Sequence, residues 1–288
     1  MADAAAMQAG GPWQFGVLDP QGPIGAAERT ILLNATAIML AVVIPVIVLT
    51  LAFAWWFRAG NGKARRLPDW SYSGRIEVIV WSIPTLVVVF LGGIAWLGSH
   101  DLDPRAPIRS EVPPIAVQIV AMDWKWLFIY PDSHVASVNR LVVPAGAPIN
   151  FELTSASVMN SFFVPQLGSQ IYAMAGMTTR LHLQADRPGT YPGFSAQFSG
   201  DGFSDMRFDV VALPKAQFDE WLQTIHAAGG TLDAAGYGEL ARPSRAVAPK
   251  TFGDVAPQLF ETVALADPSG AAMQGAGQDS PAAPKAGN

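Results

Sequence analysis

Residues 157–177 read SVMNSFFVPQLGSQIYAMAGM, and residues 196–208 read AQFSGDGFSDMRF. Both are short apolar-aromatic segments punctuated by Gly, and both lie between runs with strand character. Rim loops of an antiparallel β-barrel read this way. Two such loops at one end of a barrel could converge on a metal ion. Thiolates and imidazoles are the side chains that hold copper, yet the chain has no Cys and neither segment contains His. A thiolate-bridged copper centre is therefore chemically excluded.

Outward from these loops, residues 115–120, 124–130, 140–143, 149–153, 161–164, 180–184, 191–198 and 207–213 form strand-like runs. Gly, Pro, Asn or Asp separate them, as in PAGAP and RPGT. Short strands at this spacing predict a β-sandwich or Greek-key barrel over residues 115–213. TRLHLQ alternates, with Leu181 and Leu183 on one face and Arg180, His182 and Gln184 on the other. In DWKWLFIY, Trp124 and Trp126 read as packing residues. After Pro214 the period becomes helical. Residues 216–227 place Phe218, Trp221, Leu222 and Ile225 on one face, opposite Asp219 and Glu220, for packing on the barrel or on a partner. Residues 228–250 carry little pattern, and 255–264 could form a short helix. The C-terminal helical extension thus spans 214–266. Residues 267–288 hold too little apolar bulk to offset the entropy of ordering and are expected to be disordered.

The N-terminal third is different in kind. Half of all residues are hydrophobic and 14% are charged, low for a soluble domain. The net charge of −5 gives no basic surface for nucleic acid. Residues 31–57 contain no charge over 27 positions, roughly 40 Å of helix against a bilayer core of about 30 Å. Residues 76–98 form a second span whose one ionisable residue, Glu77, sits in its first turn. Loop 58–75 carries Arg58, Lys63, Arg65, Arg66 and Arg75 against Asp69, so the positive-inside rule puts it in the cytoplasm. Both termini then lie outside, in a bacterium the periplasm. Residues 1–30 are expected to be a periplasmic tail without a cleavable signal peptide, and 99–114, with four prolines, a spacer. The helix dipole favours an acid at the position of Glu77, and intramembrane acids also mark proton paths. The histidines His100, His134, His182 and His226 are too scattered for a metal site, with His182 read as a surface or partner contact. Met159, Met174, Met177 and Met206 are read as gap-filling residues around the rim.

The motifs MNSFF, LGSQIYAMAGM, TRLHL, PGTY, FSG and GFS together resemble subunit II of the haem-copper respiratory oxidases, over residues 16–261. In copper-bearing members the first loop supplies a His, and the second supplies two Cys, a His and a Met. Those places resemble Asn160, Phe198, Gly202, Met206 and Asp209 here. With the frame kept and every ligand replaced, the chain resembles the branch that serves quinol oxidases, the bo-type ubiquinol oxidase subunit II. The resemblance implies a membrane α + β protein: a two-helix transmembrane hairpin, then a cupredoxin-like Greek-key β-barrel and C-terminal helices. It implies a non-catalytic subunit without cofactor or metal of its own, in a proton-pumping complex of the bacterial inner membrane. The haems, the copper and the principal quinol contacts would belong to subunit I, with subunits III and IV and membrane lipid as further partners. It also makes Glu77 similar to the acid at the proton entrance. Two rival readings are weaker. A cytochrome c oxidase subunit needs the missing Cys. A membrane-tethered cupredoxin-like binding or assembly protein, with no redox partner, needs neither the retained loop frame nor Glu77.

Overall fold

The computed structural model describes residues 16–65, 67–69 and 71–266, so the sequence-based expectation for the C-terminal tail lies outside the described residues. The chain divides into two compact units, residues 27–103 and the remainder. The first is a helical hairpin made of most of α1 (Pro23–Trp56) with α2 (Gly74–Asp101). Both helices are long and apolar enough to cross a membrane. Leu33, Ile44, Val48, Val78, Val88 and Phe90 are all exposed, so the apolar surface runs around each helix rather than along one stripe. That surface suits lipid or other helices rather than water. Where the helices meet, a Cβ at Gly98 would lie 2.6 Å from Ile31 Cδ1, so glycine sets the approach.

α2 overruns its expected span at both ends, and α1 overruns at its start while ending one residue early, at Trp56. Pro23 is pre-set for the first helical position, and α1 therefore begins eight residues before Ile31. The segment ahead of it is not a free tail. Gln21 N–H donates to Gln166 O at 2.7 Å, Gly25 N–H to Leu167 O at 3.1 Å, and Asp186 N–H to Gln21 O at 2.8 Å. Residues 16–26 thus belong to the β-unit. The spacer is shorter than expected, because α2 continues to Asp101.

The β-unit is a two-sheet sandwich. Its strands are β1 (Ile115–Met122), β2 (Lys125–Tyr130), β3 (Val135–Val138), β4 (Arg140–Pro144), β5 (Pro148–Ser155), β6 (Asn160–Phe163), β7 (Ile171–Ala173), β8 (Thr179–Gln184), β9 (Gly189–Ser195) and β10 (Arg207–Leu213). The extension adds α3 (Lys215–Ala228), β11 (Thr231–Leu232), α4 (Ala234–Leu240), β12 (Lys250–Phe252), β13 (Asp254–Val255) and α5 (Leu259–Leu265). One sheet runs β12-β3-β2-β1-β5-β8 and the other β4-β10-β9-β6-β7. β1 pairs parallel with β5, and β4 with β10, while the remaining pairs within these two sheets are antiparallel. Between the sheets lie Trp126, Phe128, Phe162 and Phe208. Phe162 and Phe208 stack at 4.9 Å, and Trp126 meets both edge-on at 5.4 and 5.6 Å. The Leu181/Leu183 face of β8 points into this core, as the alternation predicts.

Three expectations are corrected. β3 and β7 escape the pattern reading because each is only three or four residues long. Residues 228–250 hold β11 and α4, and the next stretch supplies β12, an edge strand paired with β3. The extension is therefore part of the sheet and not only helical. Helix α5 starts at Leu259 rather than 255, where β13 still pairs with β11. By contrast α3 follows its predicted face: Phe218 and Ile225 are buried, and Trp221 packs on Tyr130 at 5.4 Å.

Two predictions follow from these contacts. A Cβ at Gly22 would fall 2.0 Å from the Gln184 carbonyl oxygen, a backbone atom. Gly22→Ala should destabilise the β-unit by about 1–3 kcal/mol, the cost of overpacking, and expose residues 16–26 to proteolysis; unchanged melting and cleavage would refute the contact. The Tyr130 hydroxyl, fully buried, donates to Val142 O and accepts from Val142 N–H at 2.8 Å, which ties one sheet to the other. Burial pushes its pKa above the ordinary 10.0. The folded state then keeps a proton that the unfolded chain has lost. This contribution is complete below pH 10 and declines as pH rises further. Tyr130→Phe should flatten that alkaline loss and cost about 1–3 kcal/mol at neutral pH, both read from denaturation curves.

Candidate functional site

The loops singled out by sequence meet at one end of the sandwich. Asn160 begins β6 and is buried. Its Nδ2 donates to Val158 O at 3.0 Å, and its Oδ1 accepts from Ser195 Oγ at 3.2 Å. Ser195 N–H donates to Met206 O, and Ser199 Oγ lies 3.8 Å from Met206 Sδ. Gly202 is buried beneath Trp124: a Cβ there would stand 2.3 Å from the indole. Asn160, Gly202 and Met206 are thus joined through a few shared neighbours. The other two positions are not. Phe198 is 71% exposed and meets the Phe203 ring at 5.6 Å. Asp209 lies on the exposed face of β10, in register with Arg140 on β4.

Copper chemistry does not fit this set. An amide already engaged in two hydrogen bonds, a glycine, a phenylalanine and one thioether offer neither thiolate nor imidazole. Among the described residues no group of His, Asp and Glu could hold a metal ion. Only one methionine fills the rim as the sequence reading expects: Met206 is buried, Met174 is partly exposed, and Met159 and Met177 face solvent. The reason is position, since Met206 lies directly ahead of β10, where its carbonyl accepts from Ser195 N–H beside the core, whereas the other three sit in outer loops. Val158, Met159, Met177 and Phe198 are exposed apolar residues contributed by the rim loops.

Trp126 is fully buried, as read from sequence, but Trp124 does more than pack. Its backbone is left-handed at φ 64°, and its Nε1–H donates to Ser199 O at 3.0 Å. The signal that could have located it is the pair Gly200 and Gly202, because glycine in a rim loop marks close approach. His182 is not a free surface residue: its Nδ1 lies 3.0 Å from the Pro104 carbonyl, which can only accept.

Glu77 is far from these loops in sequence and belongs to the helical unit. It occupies the first turn of α2, and its backbone N–H donates to Ser73 O. The carboxylate is exposed and accepts from Trp81 Nε1 at 3.2 Å, one turn along. An indole donor fixes the direction of the carboxylate.

Comparison with known proteins bears on both regions. Residues 128–213 match the model of the cytochrome c oxidase subunit II periplasmic domain, and residues 226–265 match the oxidase aromatic-rich motif. Cytochrome bo(3) ubiquinol oxidase subunit 2 of Pseudomonas aeruginosa is 51% identical over 244 residues, covering 85% of this chain and 74% of that protein. Ubiquinol oxidase subunit 2 of Acetobacter aceti is 47% identical, with 87% and 82% covered. Quinol oxidase subunit 2 of Bacillus cereus is 33% identical, with 80% and 79% covered. Identity at this level, running through both the helical hairpin and the β-unit, places the chain in the subunit 2 family of ubiquinol oxidases.

Proposed function

We propose that this chain is the non-catalytic subunit II of a proton-translocating quinol oxidase in an aerobic respiratory chain. The observation that carries the reading is a subunit II rim whose frame is complete and whose metal donors are replaced by Asn160, Phe198, Gly202, Met206 and Asp209. Electrons then need not cross this chain. Quinol is oxidised, and dioxygen reduced to water, at the haems and copper of subunit I. The chain braces subunit I, with subunits III and IV completing the complex. The exposed apolar rim residues Val158, Met159, Met177 and Phe198 suit a protein partner better than water.

The same reading places the chain in a bacterial inner membrane with the β-unit and both termini in the periplasm. Two observations support this topology. Loop 58–75 carries the positive excess expected of a cytoplasmic loop. Residues 16–26, ahead of the first span, pack within the same unit as the β-sandwich that follows the second. Chain on both sides of the hairpin sharing one unit requires an even number of crossings.

Glu77 is assigned to proton uptake on the cytoplasmic side. Its place in the first turn of α2 keeps it within reach of water, and Trp81 directs its carboxylate. Glu77→Ala should slow quinol-driven oxygen consumption several-fold while leaving haem content unchanged; full turnover across the pH range would remove the assignment. The role of the whole chain is tested by affinity purification through a tag on it, in mild detergent. Haem bands in the product, with oxygen uptake driven by quinol and not by reduced cytochrome c, are expected. A stable tagged protein without haem would leave a tethered cupredoxin-like module instead.

A further inference from the structure

Residues 242–247 cross the turn between β1 and β2 as a strap. The Lys125 side chain is wholly buried there, and its Nζ donates to Arg242 O at 2.8 Å and Ser244 Oγ at 2.5 Å. Ser244 N–H donates back to Asp123 O at 3.5 Å. Asn139 joins the far end: its Nδ2 donates to Val247 O at 2.8 Å, and its Oδ1 accepts from Trp126 N–H at 2.8 Å. A buried ammonium is costly unless its hydrogen bonds are filled, and here the strap fills them. Burial accordingly lowers the Lys125 pKa from its ordinary value.

The centre of the strap reaches the rim. The Arg245 guanidinium lies over the Trp124 ring at 5.3 Å, and its Nη2 is 3.4 Å from Asp201 Oδ2. Trp124 in turn covers Gly202 and holds Ser199 O through its indole N–H. The loop it covers is built on one short 3-10 turn, Phe203–Asp205. Phe203, Asp205 and Met206 N–H donate to carbonyls three residues back, and Gly200 takes φ 100°. Trp124 sits in a left-handed conformation that a bulky residue adopts only when its surroundings impose it.

We infer that the C-terminal extension is the brace of the rim: its strap, seated on Lys125 and Asn139, uses Arg245 to hold Trp124 down on the 199–202 loop. No donor set joins the described rim loops, so packing and charge take that task. The inference assigns a task to the stretch that matches the aromatic-rich motif, and it stands independently of the proposed oxidase role.

Amide hydrogen exchange on the full chain in detergent tests it, with wild type, Arg245→Gln, Lys125→Met and the double variant. Exposed ion pairs and cation–π contacts are individually weak, so Arg245→Gln should speed exchange in residues 199–206 about threefold. Lys125→Met removes the side-chain bonds to the strap and to Asp123 O and should loosen the same loop, and the double variant should reach about tenfold or more. Exchange in β9 and β10 should stay at wild-type rates. Unchanged protection of the loop in the double variant overturns the inference. So does loss of protection in the loop and the core strands together, because the strap would then support the whole sandwich and not the rim.

Discussion

Everything in the β-unit depends on a sheet that is buried on both faces. β2 has no exposed residue and β3 none either. One face carries Trp126, Phe128 and Tyr130 into the sandwich. The other carries Leu127, Ile129, Ala136 and Val138 against Leu232, Val255, Leu259, Phe260 and Val263 of the extension. A sandwich alone would leave that second face in water. The burial of each such side chain contributes about 1.5–3 kcal/mol, so the extension belongs to the fold and is not an appendage.

That constraint shapes the rim. Between α4 and α5 the extension returns across the β1–β2 turn, and in doing so it seats the strap on Lys125 and Asn139 and sets Arg245 on Trp124. The rim loops can then be organised by side chains that carry no redox chemistry. Asn160 spends its amide on Val158 and Ser195. Trp124 takes the space a side chain at residue 202 would need. Aromatic bulk and hydrogen bonds thus organise the rim around Asn160 and Gly202.

Much of this was legible in the residues. The apolar spans, the Leu181/Leu183 alternation and the helical face of α3 each follow from a single periodicity. The rim segments around Asn160 and Gly202 could be read because they are continuous local runs of sequence. Other features have no local signal. β12 is three residues long and pairs with a strand over a hundred positions away. The packing of residues 16–26 on 166–167 and 186 relies on backbone hydrogen bonds, which any sequence can make. WLFIY lacks alternation because both of its faces are covered, so period alone could not orient it.

The sequence by itself determined the class of the protein: two long apolar spans, the second with Glu77 in its first turn, a strand-rich unit, and a rim from which thiolate and imidazole are absent. These are properties of composition and spacing, and they survive any arrangement of the chain. The tertiary structure alone decided which rim residues share a neighbourhood. Met206, just ahead of β10, is buried, Asp209 on the strand is exposed, and Phe198 is left in solvent. It alone placed Arg245 on Trp124 and Lys125 under the strap. Those contacts join residues far apart in the chain, and their energy comes from burial that exists only once both sheets and the extension have closed on one another.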